Sequence, residues 1–174
     1  MSLQDQPIVN KVANSGLEQI DLETLRPEGE RVLLDIKDQL FQGMILREKD
    51  FRDFVKATDW TQYQDKHVAI TCSEDAIVPT WAFMLLTTRL NPFARTIVFG
   101  DLDELETVIF RKALAHFDYK QFEDKMVVIK GCSDKAVPTS AYVELSHRLT
   151  PYAKGIMYGE PCSTVPIYKK ARKK

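Results

Sequence analysis

Two short runs, HVAIT (His67–Thr71) and MVVIK (Met126–Lys130), are almost continuously apolar, the pattern of strands covered on both faces. Each follows a helical stretch that ends in an Asp-aromatic turn, ATDW at residues 57–60 and HFDY at 116–119. Each precedes a turn that contains a cysteine. The segments PTWAFMLLTTRL and PTSAYVELSHRL come next and predict helices, with Pro79 and Pro138 expected at the first helical position, where a missing N–H is not needed. Asn91-Pro92 and Thr150-Pro151 stop them, and TIVFG (96–100) and GIMYG (155–159) predict a second strand in each set.

The two sets are copies of one element. Laying residues 110–160 beneath 51–101 matches Phe51 with Phe110, Asp65 with Asp124, Pro79 with Pro138, Arg89 with Arg148 and Gly100 with Gly159, all offset by 59. Cys72 and Cys132 sit at offset 60, because Gly131 precedes the second cysteine and Ile77 has no counterpart. A repeated α-β-α-β unit with crossovers of this length implies an α/β fold, a mainly parallel sheet with helices on both faces. A strand order of 2-1-3-4 would put Cys72 and Cys132 at the ends of neighbouring strands, at a crevice where the order reverses. Another order would separate them.

The first fifty residues are less regular. IVNKVANSG (8–16) reads as a short helix closed by Gly16, and Asp21 as the cap of LETL before Pro27. RVLLDIK (31–37) and GMILRE (43–48) predict an N-terminal β-hairpin at a sheet edge, although Val32, Leu33, Ile36 and Leu40 also fit a helical stripe.

Length and charge narrow the picture. A chain of 174 residues supports one sizeable core, so residues 1–174 are expected to form a single domain. With a net charge of −1 there is no general pull toward nucleic acid; the exception is the basic stretch at the end, read from residue 168 to 174 as a flexible tail. No apolar run approaches the ~18 residues of a membrane span and no signal-peptide pattern opens the chain, so a cytoplasmic protein without membrane contact is expected. The absence of a glycine-rich phosphate loop argues against a nucleotide cofactor.

The candidate chemistry lies in the cysteines. All three stand in related turns, CSEDAIVP from Cys72, CSDKAVP from Cys132 and CSTVP from Cys162. A free cysteine is usually a small buried hydrophobe. Duplication accounts for Cys132 but not for Cys162, and with seven serines in 174 residues a third Cys-Ser arises by chance about once in twenty-five. A thiol at a strand end, facing N–H groups and the start of a helix, has its thiolate stabilised. Three converging thiolates suit zinc or an iron–sulfur cluster, with Glu160, Asp75 or water as a fourth ligand. Ser73, Ser133 and Ser163 are candidates to bond the sulfurs or to cap the turns, and Pro79, Pro138 and Pro166 to shape them. The spacing matches neither a CxxC zinc pair nor a ferredoxin run. His67, His116 and His147 read as ordinary residues. Trp60, Trp81, Phe83, Phe93, Tyr142 and Tyr152 are candidates for a crevice lining or, more simply, for core.

GERVLLDIKDQLFQGMILREKDFRDFVK, CSEDAIVPTWAFMLL, VFGDLDELETV and MYGEPCSTVPIYK resemble an uncharacterised bacterial family, the domain of unknown function 2480, over roughly residues 8–169. Members of that family are often encoded beside Suf-type iron–sulfur assembly components. The resemblance therefore implies an accessory role in cluster or sulfur handling, with iron–sulfur assembly proteins as partners. The expected function is metal or iron–sulfur binding through Cys72, Cys132 and Cys162. The alternatives are a persulfide carrier or a Cys72–Cys132 redox pair, and a non-catalytic interaction module with inert cysteines.

Overall fold

The computed structural model describes residues 16–131, 137–160 and 163–171. In chain order the elements are β1 (Leu17–Ile20), β2 (Arg31–Asp35), α1 (Glu48–Ala57), β3 (His67–Thr71), α2 (Thr80–Leu90), β4 (Thr96–Phe99), α3 (Leu102–Ala115), β5 (Met126–Ile129), α4 (Thr139–Leu149), β6 (Gly155–Glu160) and β7 (Ser163–Lys169), with short 3₁₀ turns between. The fold is mixed α/β with mostly parallel strands, as expected. The strands form two sheets rather than one, and the chain divides into two compact units, Arg26–Ala113 and Met1–Leu25 with Leu114–Lys174.

The Arg26–Ala113 unit holds the parallel sheet β2-β3-β4. Strand alternation sends Val68 and Ile70 to one face, against Phe51 and Val55 of α1 and Ala82, Leu86 and Leu90 of α2. These helical positions recur at i, i+4 and i+8, which is why α1 and α2 each bury one stripe. Ala69 points to the other face, where Leu105 and Ile109 of α3 cover it. Burial of Leu86 alone stabilises the unit by about 1.5–3 kcal/mol.

The second unit repeats the plan. β1, β5 and β6 run parallel, and β7 adds antiparallel to β6. Its core includes Val127, Ile129, Leu145, Leu149 and Ile156. Side chains keep their jobs across the repeat. Trp60 Nε1 donates to the Val55 carbonyl at 2.9 Å, and its counterpart Tyr119 donates from its hydroxyl to the Leu114 carbonyl at 2.8 Å. Both bonds satisfy a carbonyl freed at a helix end. Burial, the dominant effect on Tyr119, pushes its pKa up to about 12. Gln62 and Gln121 bond the carbonyls of Asp59 and Asp118 at 2.8 Å, and Asp65 and Asp124 adopt the same left-handed backbone, φ 60° and 54°.

The duplication extends to the first strands, which escaped the sequence comparison. Register sets Leu17 opposite Met126 and Arg31 opposite His67, so β1 and β2 are equivalent. Asp21 and Asp35 follow them, each accepting the N–H two residues on at 3.0 Å to start a 3₁₀ turn, and Leu22 and Ile36 are both buried. The N-terminal strands are present, but β2 pairs with β3 in parallel, not with residues 43–48. That stretch makes isolated bridges alone, Ile45 with Phe41 around a turn through Gln42 and Gly43 at φ 53° and 69°, and Ile45 with Ile77 in parallel. Long-range pairing buries Leu34 and Val32 against the core, which a local hairpin would not.

Three further expectations are revised. β3 and β5 lie in different sheets, so the 2-1-3-4 order and the neighbouring of Cys72 and Cys132 through adjacent strands do not hold. Pro79 and Pro138 occupy the N-cap, one residue before their helices. Tyr168 and Lys169 belong to β7, and Lys170 is ion-paired with Asp124 at 2.9 Å, so the stretch from 168 does not start as a free tail. Residues 8–15 and 172–174 lie outside the described residues. No described helix is long and apolar enough to cross a membrane.

Candidate functional site

The chemistry-bearing residues gather at the C-terminal ends of the parallel strands. In the Arg26–Ala113 unit, Cys72 follows β3 and is half-buried against the core cluster. Its thiol donates to the Glu74 carbonyl at 3.8 Å. Ser73 does not serve the sulfur: its hydroxyl and N–H donate to the two carboxylate oxygens of Asp35, at 2.6 and 3.1 Å. Burial works against charge on Asp35, but the bonds from Ser73 and from the Lys37 N–H outweigh it and hold the carboxyl below its usual range. Asp75 is exposed.

Asp35 was not a sequence candidate, and neither was Asp21. The available signal was a carboxylate closing each of two apolar runs, LLD and QID. In the second unit Asp21 bonds Lys130 at 2.9 Å, and that bond, with a smaller pull from Glu160, raises the Lys130 pKa.

At the end of β5 and β6 the register is Ile129 with Tyr158, and on the other side Tyr158 with Val165 and Glu160 with Ser163. Tyr158 donates from its hydroxyl to the Gly131 carbonyl at 3.4 Å, tying the two strand ends together. Gly159 has φ 121°, and a Cβ there would sit 2.6 Å from the Ser163 carbonyl oxygen, so the close β6–β7 turn requires glycine. Beside this turn, Glu160 Oε1 is buried and has no hydrogen-bond partner among the described residues. The same unit has an apolar groove of about 310 Å³, lined by Ile129, Tyr142, Val143, Ser146, Tyr158 and Ile167.

Of the predicted site residues, Cys132, Ser133 and Cys162 lie outside the described residues. Glu160 and Ser163 are brought together as a backbone pair, with Ser163 exposed. Pro166 faces Met157 on the edge strand β7, where its missing N–H breaks no ladder. Cys72 and Asp75 belong to the other unit. Among the described residues no three His, Cys, Asp or Glu side chains group as a metal site. Of the aromatic candidates, Trp60 is core, Trp81 packs on Phe51 at 5.9 Å, and Tyr142 and Phe83 pair with Tyr158 and Phe99.

His67 also stands apart from the sequence reading. It is 4% exposed, Nε2 donates to the Glu28 carbonyl at 3.0 Å, and Nδ1 is buried without a partner among the described residues. Since a carbonyl only accepts, Nε2 carries a proton. Burial first, then the charges of Arg31 and Arg95, hold its pKa below the ordinary value. It lies at the opposite end of β3 from Cys72.

The profile of the family described as "Protein of unknown function (DUF2480)" matches residues 6–170, nearly the whole chain, and the chain belongs to that family. Neither the curated proteins nor the solved structures yield a match.

Proposed function

We propose that this family member holds a soft metal ion, zinc or the iron of an iron–sulfur cluster, at the C-terminal end of β5 and β6, with Cys132, Cys162 and Glu160 as its ligands. The observation that carries this reading is the buried, unbonded oxygen of Glu160. An acceptor in that condition costs about 1–3 kcal/mol, and a cation beside it removes the cost. The chain connectivity adds the thiols: Cys132 is the residue after Gly131, whose carbonyl is tied to Tyr158, and Cys162 stands between the paired residues Glu160 and Ser163.

Two thiolates and a carboxylate leave one position of a tetrahedral zinc site open, and soft thiolates equally suit a cluster. An open position favours holding and handing on over a closed structural role. This agrees with an accessory part in iron–sulfur assembly, the assembly proteins being the partners. Cys72, predicted as the third ligand, belongs to the Arg26–Ala113 unit, and the proposed set is drawn from the unit that holds Glu160.

The test is metal and sulfide analysis with an absorption spectrum on protein purified without oxygen, for wild type and for Cys72→Ser, Cys132→Ser and Cys162→Ser. Stoichiometric metal that survives Cys72→Ser and is lost in the other two is the expected result. Loss in all three would restore a three-thiol site. Wild type that stays metal-free after anaerobic reconstitution, with a Cys132–Cys162 disulfide by mass spectrometry, would replace metal binding with redox chemistry.

A further inference from the structure

The outer edge of β6 is covered by β7, whereas β4, its counterpart, ends its sheet. Gly100 donates its N–H to the Ile70 carbonyl at 3.0 Å, so the alternation of a parallel strand turns the N–H and C=O groups of Ile97 and Phe99 away from β3. Among the described residues nothing bonds to them. Beside this open edge Phe99 is 67% exposed and stacks edge-on against Phe83 at 4.9 Å, with Met84 next to it 64% exposed. The equivalent pair in the other unit, Tyr158 and Tyr142, has the same T-shaped geometry at 5.8 Å, and there Ile167 of β7 borders the groove. The repeat thus contains its own example of what this edge accepts: an antiparallel strand with an apolar side chain over the aromatic pair.

We propose that the β4 edge pairs with β4 of a second copy of this chain, antiparallel and centred on Val98. The stretch Arg95-Thr96-Ile97-Val98-Phe99-Gly100-Asp101 is self-complementary about that centre. Arg95 meets Asp101 of the second copy at each end, and Ile97 meets Phe99. Ile97 and Phe99, whose polar groups point outward, become the hydrogen-bonded pairs, and Val98 meets its own copy as the non-hydrogen-bonded pair. Arg95 is half-exposed and held by a 3.5 Å surface pair with Asp65 and a 3.5 Å bond to the Glu28 carbonyl, both weak enough to rearrange. The free edge of β7 makes the contrast. It carries Pro166 and a bulge opposite Ile156 and Met157, two devices that block strand pairing, and β4 has neither.

Sedimentation equilibrium of the full chain over a wide concentration range tests the assembly. The 20.0 kDa chain is expected to double in mass, and Phe99→Lys and Met84→Lys each to weaken the dimer by about tenfold or more. Both positions are exposed, so circular dichroism should show unchanged folding. Register is tested by mild oxidation: Val98→Cys should cross-link to itself through the non-hydrogen-bonded pair, while Phe99→Cys, set diagonally, should do so far less. The cross-linked peptide is identified by mass spectrometry. A monomer at every concentration, a dimer indifferent to both lysine variants, or equal cross-linking at 98 and 99 would overturn the proposal. It does not depend on the metal site.

Discussion

Replacing Glu160 with Met should stabilise the protein when metal is stripped from it. The side chains are close in volume, and Glu160 keeps its place in the β6–β7 ladder through backbone groups that the substitution leaves alone. What changes is one buried acceptor with no donor, worth about 1–3 kcal/mol against folding. The loss on the other side is the attraction to Lys130, an exposed group that already has Asp21 at 2.9 Å, so it is small beside the first effect. The net gain is at most about 1–3 kcal/mol, which at about 2–4 °C per kcal/mol is a rise of up to roughly 2–12 °C in Tm for a chain of this length.

The assay is thermal unfolding by circular dichroism with a chelator present, wild type beside Glu160→Met, followed by the same pair after metal loading. Without metal the variant should melt higher; after loading, the order should reverse as wild type gains a ligand the variant lacks. A Glu160→Met protein that melts lower than wild type in chelator would refute the reasoning, because it would mean the oxygen is already satisfied. The reversal separates a functional carboxylate from a merely tolerated one, since natural sites give up stability where ligands bind.

Two other outcomes follow from the geometry. His67 has a folded pKa below its unfolded value of about 6.5, so its contribution to stability is complete above that pH and is lost as pH falls toward the folded pKa, where the unfolded chain binds a proton that the folded one refuses; urea unfolding at pH 7.5 and 5.5 should show a smaller loss for His67→Gln, and identical losses would remove His67 from the account. Gly159→Ala should cost more than about 1 kcal/mol, through a left-handed φ and a collision with the Ser163 carbonyl, and amide exchange at Val165 and Tyr168 should quicken; unchanged exchange would show that the turn accommodates a Cβ.

The duplication was legible because it preserves residues with fixed geometric jobs. Asp59 and Asp118 start a 3₁₀ turn, Trp60 and Tyr119 close a helix end, and Gly100 and Gly159 hold positive φ, so the offset of 59 survives wherever a job survives. β1 and β2 escaped because they are four or five residues long, differ at almost every position, and are related by only fourteen residues in sequence. Only Asp21 and Asp35, with the buried residue after each, betray the kinship. The sheet order was not legible either, since the periodicity of β3 and β5 shows that both are covered but not which strand lies beside which. The unpartnered oxygen of Glu160 is a property of three-dimensional placement, and no pattern of residue types encodes it.

The same strand end has been used differently in the two copies. After Gly100, Asp101 accepts the Glu104 N–H at 2.8 Å and starts α3, so that carboxylate is committed to holding a helix. After Gly159, the equivalent Glu160 starts no helix; the chain turns back into β7, and the carboxylate is left buried beside a second cysteine in the sequence. The position equivalent to Cys162 in the first copy is Asp103, inside α3. A second thiol there would be carried away on a helix, whereas in the second copy the described chain resumes at Ser163, paired with Glu160. The first copy has therefore become scaffold at this point, with Asp35 and Ser73 bonded to each other and Cys72 bonded to a carbonyl. In the second, the Glu160 oxygen is left without a partner among the described residues, and the proposed metal site rests on that difference.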